Sequence, residues 1–505
     1  MRHEVFYEYR LGVRLAHAAT IVLLILLYWS GLRLGSLFAL DGLVTPGNWL
    51  DGFVYDGRVF LLHRSLGVYF LLVGIFYVTH LLLTDQLRRL LNIFTHRRYQ
   101  FRKKLLFLAM LFTGLMMAVS GLTMYYGLFS GGGGFALMKA IHQYGAVALA
   151  LMTLIHIVSV ITDKESRANS IFLQRVFPGF WGWRALILSG ALALALNLAG
   201  VYWSGRSQDL QVVNSPQAIT VDGLADEPIW SECDSITIPI WGGSGFAFGT
   251  TKATVKAVQH RNRFHFLISW DDPEISFNRE MIKTEDGWQV RQSEFLDRFG
   301  ERIFWEDQLA VSLSQDRFGC AATCHMDRGE RLGYHLSRDS LHDLWLWSAV
   351  SSNPVGQADD RFWTTELDSS GSGARIDNPL AIATHTNFHQ DWNEPYLVPT
   401  APLRYPAIIA DDPYSAPYFR EDDTSPVGSK LPSVVVSSRV GDRADVVSRG
   451  RWHGGRWTVE FARRLDTGSS NDLAIEDGLF LSIAAFNHAR FKHAFHLHPV
   501  RLRLE

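Results

Sequence analysis

The chain has 505 residues, of which 48% are hydrophobic, with 48 Lys and Arg against 50 Asp and Glu, a formal net charge of −2, and only 3 Cys. Near-balanced charge, with no basic run carrying interleaved aromatics, excludes nucleic acid as a partner. No hydrolytic triad, phosphate loop or zinc constellation stands out. The average hides two unlike halves, because the apolar residues are concentrated before residue 205.

Five segments, near 12–32, 60–83, 104–126, 138–161 and 183–203, are each long enough to cross a hydrocarbon core of about 30 Å as a helix. The first continues through Trp29 and Ser30 with no small-x-small cleavage site after it, and so reads as a retained span. Arg88, Arg89, Arg97, Arg98, Arg102, Lys103 and Lys104 lie between spans two and three, and Lys164, Arg167, Arg175 and Arg184 between spans four and five. The connection between spans one and two carries three aspartates and only Arg33 and Arg58. This bias places the amino terminus in the cytoplasm. Five crossings then put everything after Ser204 outside, in the periplasm of a bacterium whose inner membrane holds the chain. Gly121, Gly127 and the run Gly131 to Gly134 read as a flexible outer turn.

Imidazoles inside hydrocarbon mark functional sites, and this half has His17, His63, His80, His142 and His156. His142 and His156 are fourteen residues apart, which on a helix is a rise of about 21 Å and four turns less about 40°. They therefore share a face at opposite membrane depths. His63 opens span two at the depth of His142, and His17 opens span one at the depth of His156. The expected arrangement is two b haems stacked across the bilayer, one held by His63 with His142 and one by His17 with His156. His80 points about 100° away from the His63 face. Its roles stay open: a haem propionate contact, a quinone contact, or an interfacial histidine.

The polar stretch around Ser204 to Ser215 reads as a linker, giving domains over 1–204, a linker over 205–215 and a second domain over 216–505. Val255 to Val258 and Phe264 to Ile268 flank a polar turn and read as a hairpin, and similar alternating runs recur to Leu504. A mainly antiparallel β-sandwich is the expected fold, with the segment after 314 and the stretch 350–430 as excursions between strands. The fold class is thus multi-domain, a transmembrane α-helical bundle followed by a sandwich.

Cys320-Ala-Ala-Thr-Cys324-His325 carries the chemistry of this domain. Two thiols followed by a histidine suit a covalently attached c haem, with Cys320 and Cys324 as thioethers and His325 as proximal iron ligand. The spacing is one residue longer than the usual form, and a local disulfide is the alternative. His335 is the favoured second axial ligand; Met326, His342, Met281, His488, Lys492 and His493 are the others. Cys233 reads as a small buried apolar residue. Trp345, Trp347 and Trp363 read as core or pocket wall rather than a sugar platform.

With these residues in view, the first 200 positions resemble the membrane di-haem cytochromes b of the formate dehydrogenase gamma-subunit and nickel-hydrogenase type. The resemblance rests on Arg10-x-x-x-Arg14-x-x-His17, on His63, and on the His142 and His156 spacing. It implies electron exchange between a quinone pool and a partner on the outer face. The second domain is similar to the haem-binding domain of the ethylbenzene dehydrogenase gamma subunit, and through it to carbohydrate-binding sandwiches opening with a motif like Val221-Asp222-Gly223-x-x-Asp226-x-x-x-Trp230. Trp305-Glu306-Asp307-x-Leu309, Asp343-Leu344-Trp345-Leu346-Trp347 and Gly455-x-Trp457-x-Val459-x-Phe461 are its further landmarks. That subunit holds a b haem between methionine and lysine, so the cysteine motif here is a departure.

The expected function is electron transfer between membrane quinone, through two b haems, and a periplasmic donor or acceptor protein, through one c haem. Two rivals stand beside it: a ligand-binding or sensory sandwich on a membrane anchor, and a haem enzyme using an open position opposite His325.

Overall fold

A computed structural model describes residues 11–34, 58–84, 98–126, 132–162, 180–204, 208–241, 243, 245–246, 250–291, 304–315, 341–363, 374–376, 384–410, 412–490, 493–496 and 499–504. It divides into a helical unit, ending at Arg206, and a sheet unit from Ser207.

The helical unit consists of α1 (Leu11–Leu34), α2 (Arg58–Leu83), α3 (Arg98–Tyr126), α4 (Gly132–Thr162) and α5 (Phe180–Ser204). Large apolar side chains such as Ile25, Phe112, Ile155 and Ile187 face outward, each more than half exposed. In water that surface would be prohibitive; against lipid it is solvated. Among the described residues four helices are long and apolar enough to cross a membrane, over Gly12–Gly31, Leu62–Leu83, Leu105–Met124 and Ala140–Thr162. The expectation of five such spans is corrected at the last helix. Its apolar stretch among the described residues is Trp183–Leu196, about 21 Å of rise against a core of about 30 Å. Hydroxyls inside these helices are satisfied by the preceding turn, as in Ser30 to Leu26 O (2.7 Å), Thr153 to Leu149 O (2.7 Å) and Ser189 to Ala185 O (2.6 Å).

Gly121 lies within α3 rather than in an outer turn, and Gly132 to Gly134 open α4; Gly127 and Gly131 lie outside the described residues.

The sheet unit has β1 (Asp209–Asn214), β2 (Ile236–Trp241), β3 (Thr250–His260), β4 (Arg263–Asp271), β5 (Gln308–Ser314), β6 (His342–Ser348), β7 (Asp359–Trp363), β8 (Ala374–Ile376), β9 (Val447–His453), β10 (Arg456–Arg464), β11 (Phe480–Phe486), β12 (Ala494–Phe495) and β13 (Val500–Leu504). The spatial order is β8-β7-β6-β5-β11-β12-β2-β3-β4-β10-β9, and β1 joins β13 to β3 by parallel pairing. All other pairings within this sheet are antiparallel. The two arms fold over one another, so that Trp345 of β6 meets Phe266 of β4 (5.9 Å) and Trp347 meets Trp457 of β10 (4.8 Å between ring centres). This closes an aromatic core of sandwich type.

Two sequence boundaries move. The linker over 205–215 contains β1, whose Leu210 and Val212 are buried; period-two alternation in a short polar segment outweighs its average polarity. The stretch 350–430 supplies β7 and β8 to the main sheet besides small two- and three-stranded pieces. Its charges hid the strand: Asp359 on β7 is met by Arg361, Arg439 (2.9 Å) and Arg443 (2.5 Å). Burial opposes its charge, yet these guanidiniums hold the carboxyl well below the usual range.

Candidate functional site

In the helical unit α4 carries both His142 and His156, and each meets a histidine from another helix. The rings of His63 and His142 have centres 6.2 Å apart with planes at 82°. Those of His17 and His156 are 6.3 Å apart at 63°. Two imidazoles bonded to one metal from opposite sides, at about 2.0–2.1 Å each and with about 1.1 Å from nitrogen to ring centre, place their centres about 6.2–6.4 Å apart. The residues present thus fit an axially ligated haem iron at two levels.

Protonation at the first level follows from the neighbours. His63 Nδ1 lies 2.9 Å from Ser30 Oγ, and that hydroxyl already donates to Leu26 O. The hydroxyl must therefore accept, which puts the proton on Nδ1 and leaves the Nε2 lone pair for a metal. His142 Nδ1 donates to Met117 O (3.0 Å), with Ser120 Oγ also near at 3.2 Å. A carbonyl can only accept, so the same tautomer results. Gly31 and Gly121 make room for these rings, since a Cβ at either would come within 3.2 Å of Cε1 of His63 or His142.

Sequence reasoning missed Ser30, Ser120 and Met117. The available signal was the dipeptide Ser-Gly near the end of both α1 and α3, each followed on the next helix by a paired histidine.

His80 is 1% exposed and stacked on Phe76 (5.8 Å, 8°), and its ring fills the space that a Cβ on Gly12 would need. It packs between α1 and α2, and the ring that meets His156 is His17.

In the sheet unit Cys320, Cys324, His325, His335 and Met326 lie outside the described residues, as does Lys492. The root of that segment is defined: Ser314 on β5 and His342 on β6 are register partners, with Ser314 Oγ 3.1 Å from His342 Nε2. His342 is buried and stacked on Trp363 (5.4 Å, 26°). Met281 is buried in a small three-stranded sheet. His488 donates its backbone N–H to Asp307 Oδ1 (3.0 Å), and burial lowers its imidazole pKa. His493 packs on Phe486 (4.8 Å). Cys233 is buried, and burial raises its thiol pKa.

The outer-domain landmarks are mainly structural ties. Glu306 accepts from Val350 N (2.7 Å) and Ser351 N (2.8 Å) and pairs with Arg279 (3.1 Å). Asp307 accepts from Ser276 N (2.7 Å) and Trp457 Nε1 (3.0 Å). Glu460 accepts the N–H groups of Asp222 (3.0 Å) and Gly223 (2.7 Å), holding the opening motif to β10. Trp345, Trp347 and Trp363 are buried core residues.

Residues 8–179 match the family described as prokaryotic cytochrome b561, and residues 227–497 match the family described as ethylbenzene dehydrogenase. Comparison with curated proteins gives no match. Among solved structures, a carbohydrate binding module family 9 protein from Caldicellulosiruptor kristjanssonii in complex with glucose is similar at 9% identity and a TM-score of 0.24, over 59% of this chain and 97% of that one. A putative carbohydrate-binding protein from Bacteroides uniformis is similar at 6% identity and 0.24, over 59% and 100%.

Proposed function

We propose, for a chain that belongs to the ethylbenzene dehydrogenase family and has a prokaryotic cytochrome b561 segment ahead of that domain, that it passes electrons between the quinone pool and a periplasmic redox protein. Membrane residence, haem b and electron transfer are properties of its first part; the quinone, the c haem and the outer partner are the proposal. The observation that carries it is the pair of histidine couples, 6.2 and 6.3 Å between ring centres, on one shared helix.

His63 with His142, and His17 with His156, would hold the two b haems. Haem bound there supplies one-electron redox chemistry. The protein's own contribution is the fixed Nδ1–H tautomer and the fixed spacing along α4. His80, buried beside α1, is the candidate for a quinone or propionate contact near the inner level.

In the sheet unit Cys320 and Cys324 would attach a c haem, with His325 as proximal and His335 as second ligand. Covalent haem attachment belongs to the outer side of a bacterial membrane, which supports a periplasmic sheet unit.

The test is a pyridine haemochrome spectrum of the purified protein together with haem staining of a denaturing gel, for wild type and His142→Ala. The expected result is covalent haem plus about two extractable b haems per chain, one of which the substitution removes. Both b signals surviving His142→Ala would overturn the pairing, and extractable haem alone would overturn the c haem.

A further inference from the structure

Exposed aromatic side chains are unevenly placed in the sheet unit. Among its described residues six are exposed, Phe277 and then Trp392, Tyr396, Tyr405, Tyr414 and Phe419, so that five fall within one stretch. Trp392, Tyr414 and Phe419 are each more than half exposed. The fold gathers these rings into one lobe. His389 stacks on Trp392 (4.0 Å, 2°) and packs on Tyr396 (5.4 Å). Tyr418, beside Phe419, donates its N–H to Tyr396 O (3.0 Å), and the Arg420 guanidinium donates to Trp392 O (3.1 Å). The strand Leu397–Pro399 pairs antiparallel with Ser415–Pro417, and Leu403, Tyr405 and Tyr414 line one cavity of about 490 Å³. An aromatic cluster left in solvent in this way marks an interaction site.

The charges around the lobe select among partners. The turn Glu285-Asp286 abuts it, because the Trp288 N–H just beyond that turn donates to Asn393 O (2.8 Å). Asp391 adjoins Trp392, and Glu421 and Asp422 follow Phe419 and Arg420; all five of these carboxylates are exposed. The nearby cations are mostly paired already: Lys283 with Asp423, Arg420 with Glu394, and Lys430 and Arg291 together with Glu280. Five exposed carboxylates therefore stand against Arg404 and the one cation in excess at Glu280. Such a rim repels an anionic lipid surface and a second copy of the same lobe, and attracts a basic surface.

We propose that this lobe docks a soluble protein whose contact face is apolar at its centre and basic at its rim. Aromatic anchors ringed by polar and charged groups are the usual layout of a protein interface. The rings of Trp392, Tyr414 and Phe419 would bury apolar area, while Glu285, Asp286, Asp391, Glu421 and Asp422 would steer the approach and fix the orientation. The inference rests on the electron-transfer reading in one respect, that the outer redox protein is the partner so described.

In the experiment the full-length chain is immobilised in nanodiscs of neutral phosphatidylcholine. Binding of a lysine-rich soluble cytochrome c is followed by biolayer interferometry, with the same cytochrome succinylated to reverse its charge as the control. Wild type is expected to bind the basic probe with an affinity that falls as salt is raised, and not to bind the succinylated one. Glu421→Lys combined with Asp422→Lys is expected to weaken binding at least about tenfold, mainly through slower association. Trp392→Ala is expected to weaken it at least about fivefold, mainly through faster dissociation. Glu476→Lys, which changes an exposed acid outside the lobe, should bind as wild type does. No binding by wild type, equal binding of the succinylated probe, or wild-type affinity in both lobe variants would overturn the proposal. Binding is read without electron transfer, so a bound probe that quinol never reduces through the chain would count against the function proposed above and not against this surface.

Discussion

Ser30→Ala and Ser120→Ala remove the same hydroxyl at equivalent places, and the structure predicts equal and modest results. Ser30 Oγ lies 2.9 Å from His63 Nδ1, but that imidazole also has the Leu27 carbonyl as a backbone partner, just as His142 Nδ1 has the Met117 carbonyl at 3.0 Å beside Ser120 Oγ at 3.2 Å. Losing every partner behind a metal ligand weakens metal binding about 10- to 100-fold, which is about 1.4–2.7 kcal/mol at 1.36 kcal/mol per decade. A carbonyl stays on each ring when the hydroxyl is removed, so either substitution is expected to cost about 1 kcal/mol or less. The assay is haem retention during detergent dilution, followed by the absorbance of the b haems. Both variants should hold both haems within about fivefold of the wild-type rate. Loss of one haem at least about tenfold faster from either variant would refute the reasoning, since the carbonyl would then not be holding the Nδ1–H.

Other consequences are open to the same kind of check. Gly121→Val should displace the His142 ring, because even a Cβ there comes within 3.2 Å of Cε1; the signal of the b haem proposed between His63 and His142 should vanish while the other stays. Gly450→Ala should destabilise the sheet unit by about 1–3 kcal/mol in urea unfolding followed by tryptophan fluorescence, since the added methyl would collide with the buried indole of Trp347. The Asp272 carboxyl is raised from 3.8 to about 8 by burial and by the nearby Asp307. The folded chain then holds a proton that the unfolded chain releases, so this contribution is present at low pH and lost as pH rises toward 8. Thermal unfolding between pH 6.5 and 8 should therefore show stability falling with pH, with a shallower fall in Asp272→Asn. An unchanged slope in that variant would place the titration elsewhere.

The two histidine pairs were legible because helical geometry is regular: fourteen residues fix both depth and face, and only His17 and His63 begin spans at matching depths. What stayed hidden depends on side-chain packing that periodicity does not encode. Ser30 and Ser120 look like ordinary small polar residues in a span, and Gly121 looks like part of a glycine-rich turn until the His142 ring is seen against it. The sandwich was legible from its alternation, but β1 and β7 were not. β1 is too short to outweigh the polar composition around it, and the charge of β7 is neutralised by Arg439 and Arg443, about eighty residues away in sequence.

The placement of two paired histidines on α4 has an electrical consequence if they hold haem as proposed. About 21 Å of rise within a hydrocarbon core of about 30 Å means that one charge passing between the levels crosses about 0.7 of the insulating layer. A potential of 100 mV does work of about 2.3 kcal/mol on a charge crossing all of it, and so about 1.6 kcal/mol on this step. That is about a fifteenfold bias in where the charge rests. The helix thus sets how strongly an energised membrane pulls electrons toward one face, and a change in its length between His142 and His156 would reset that sensitivity.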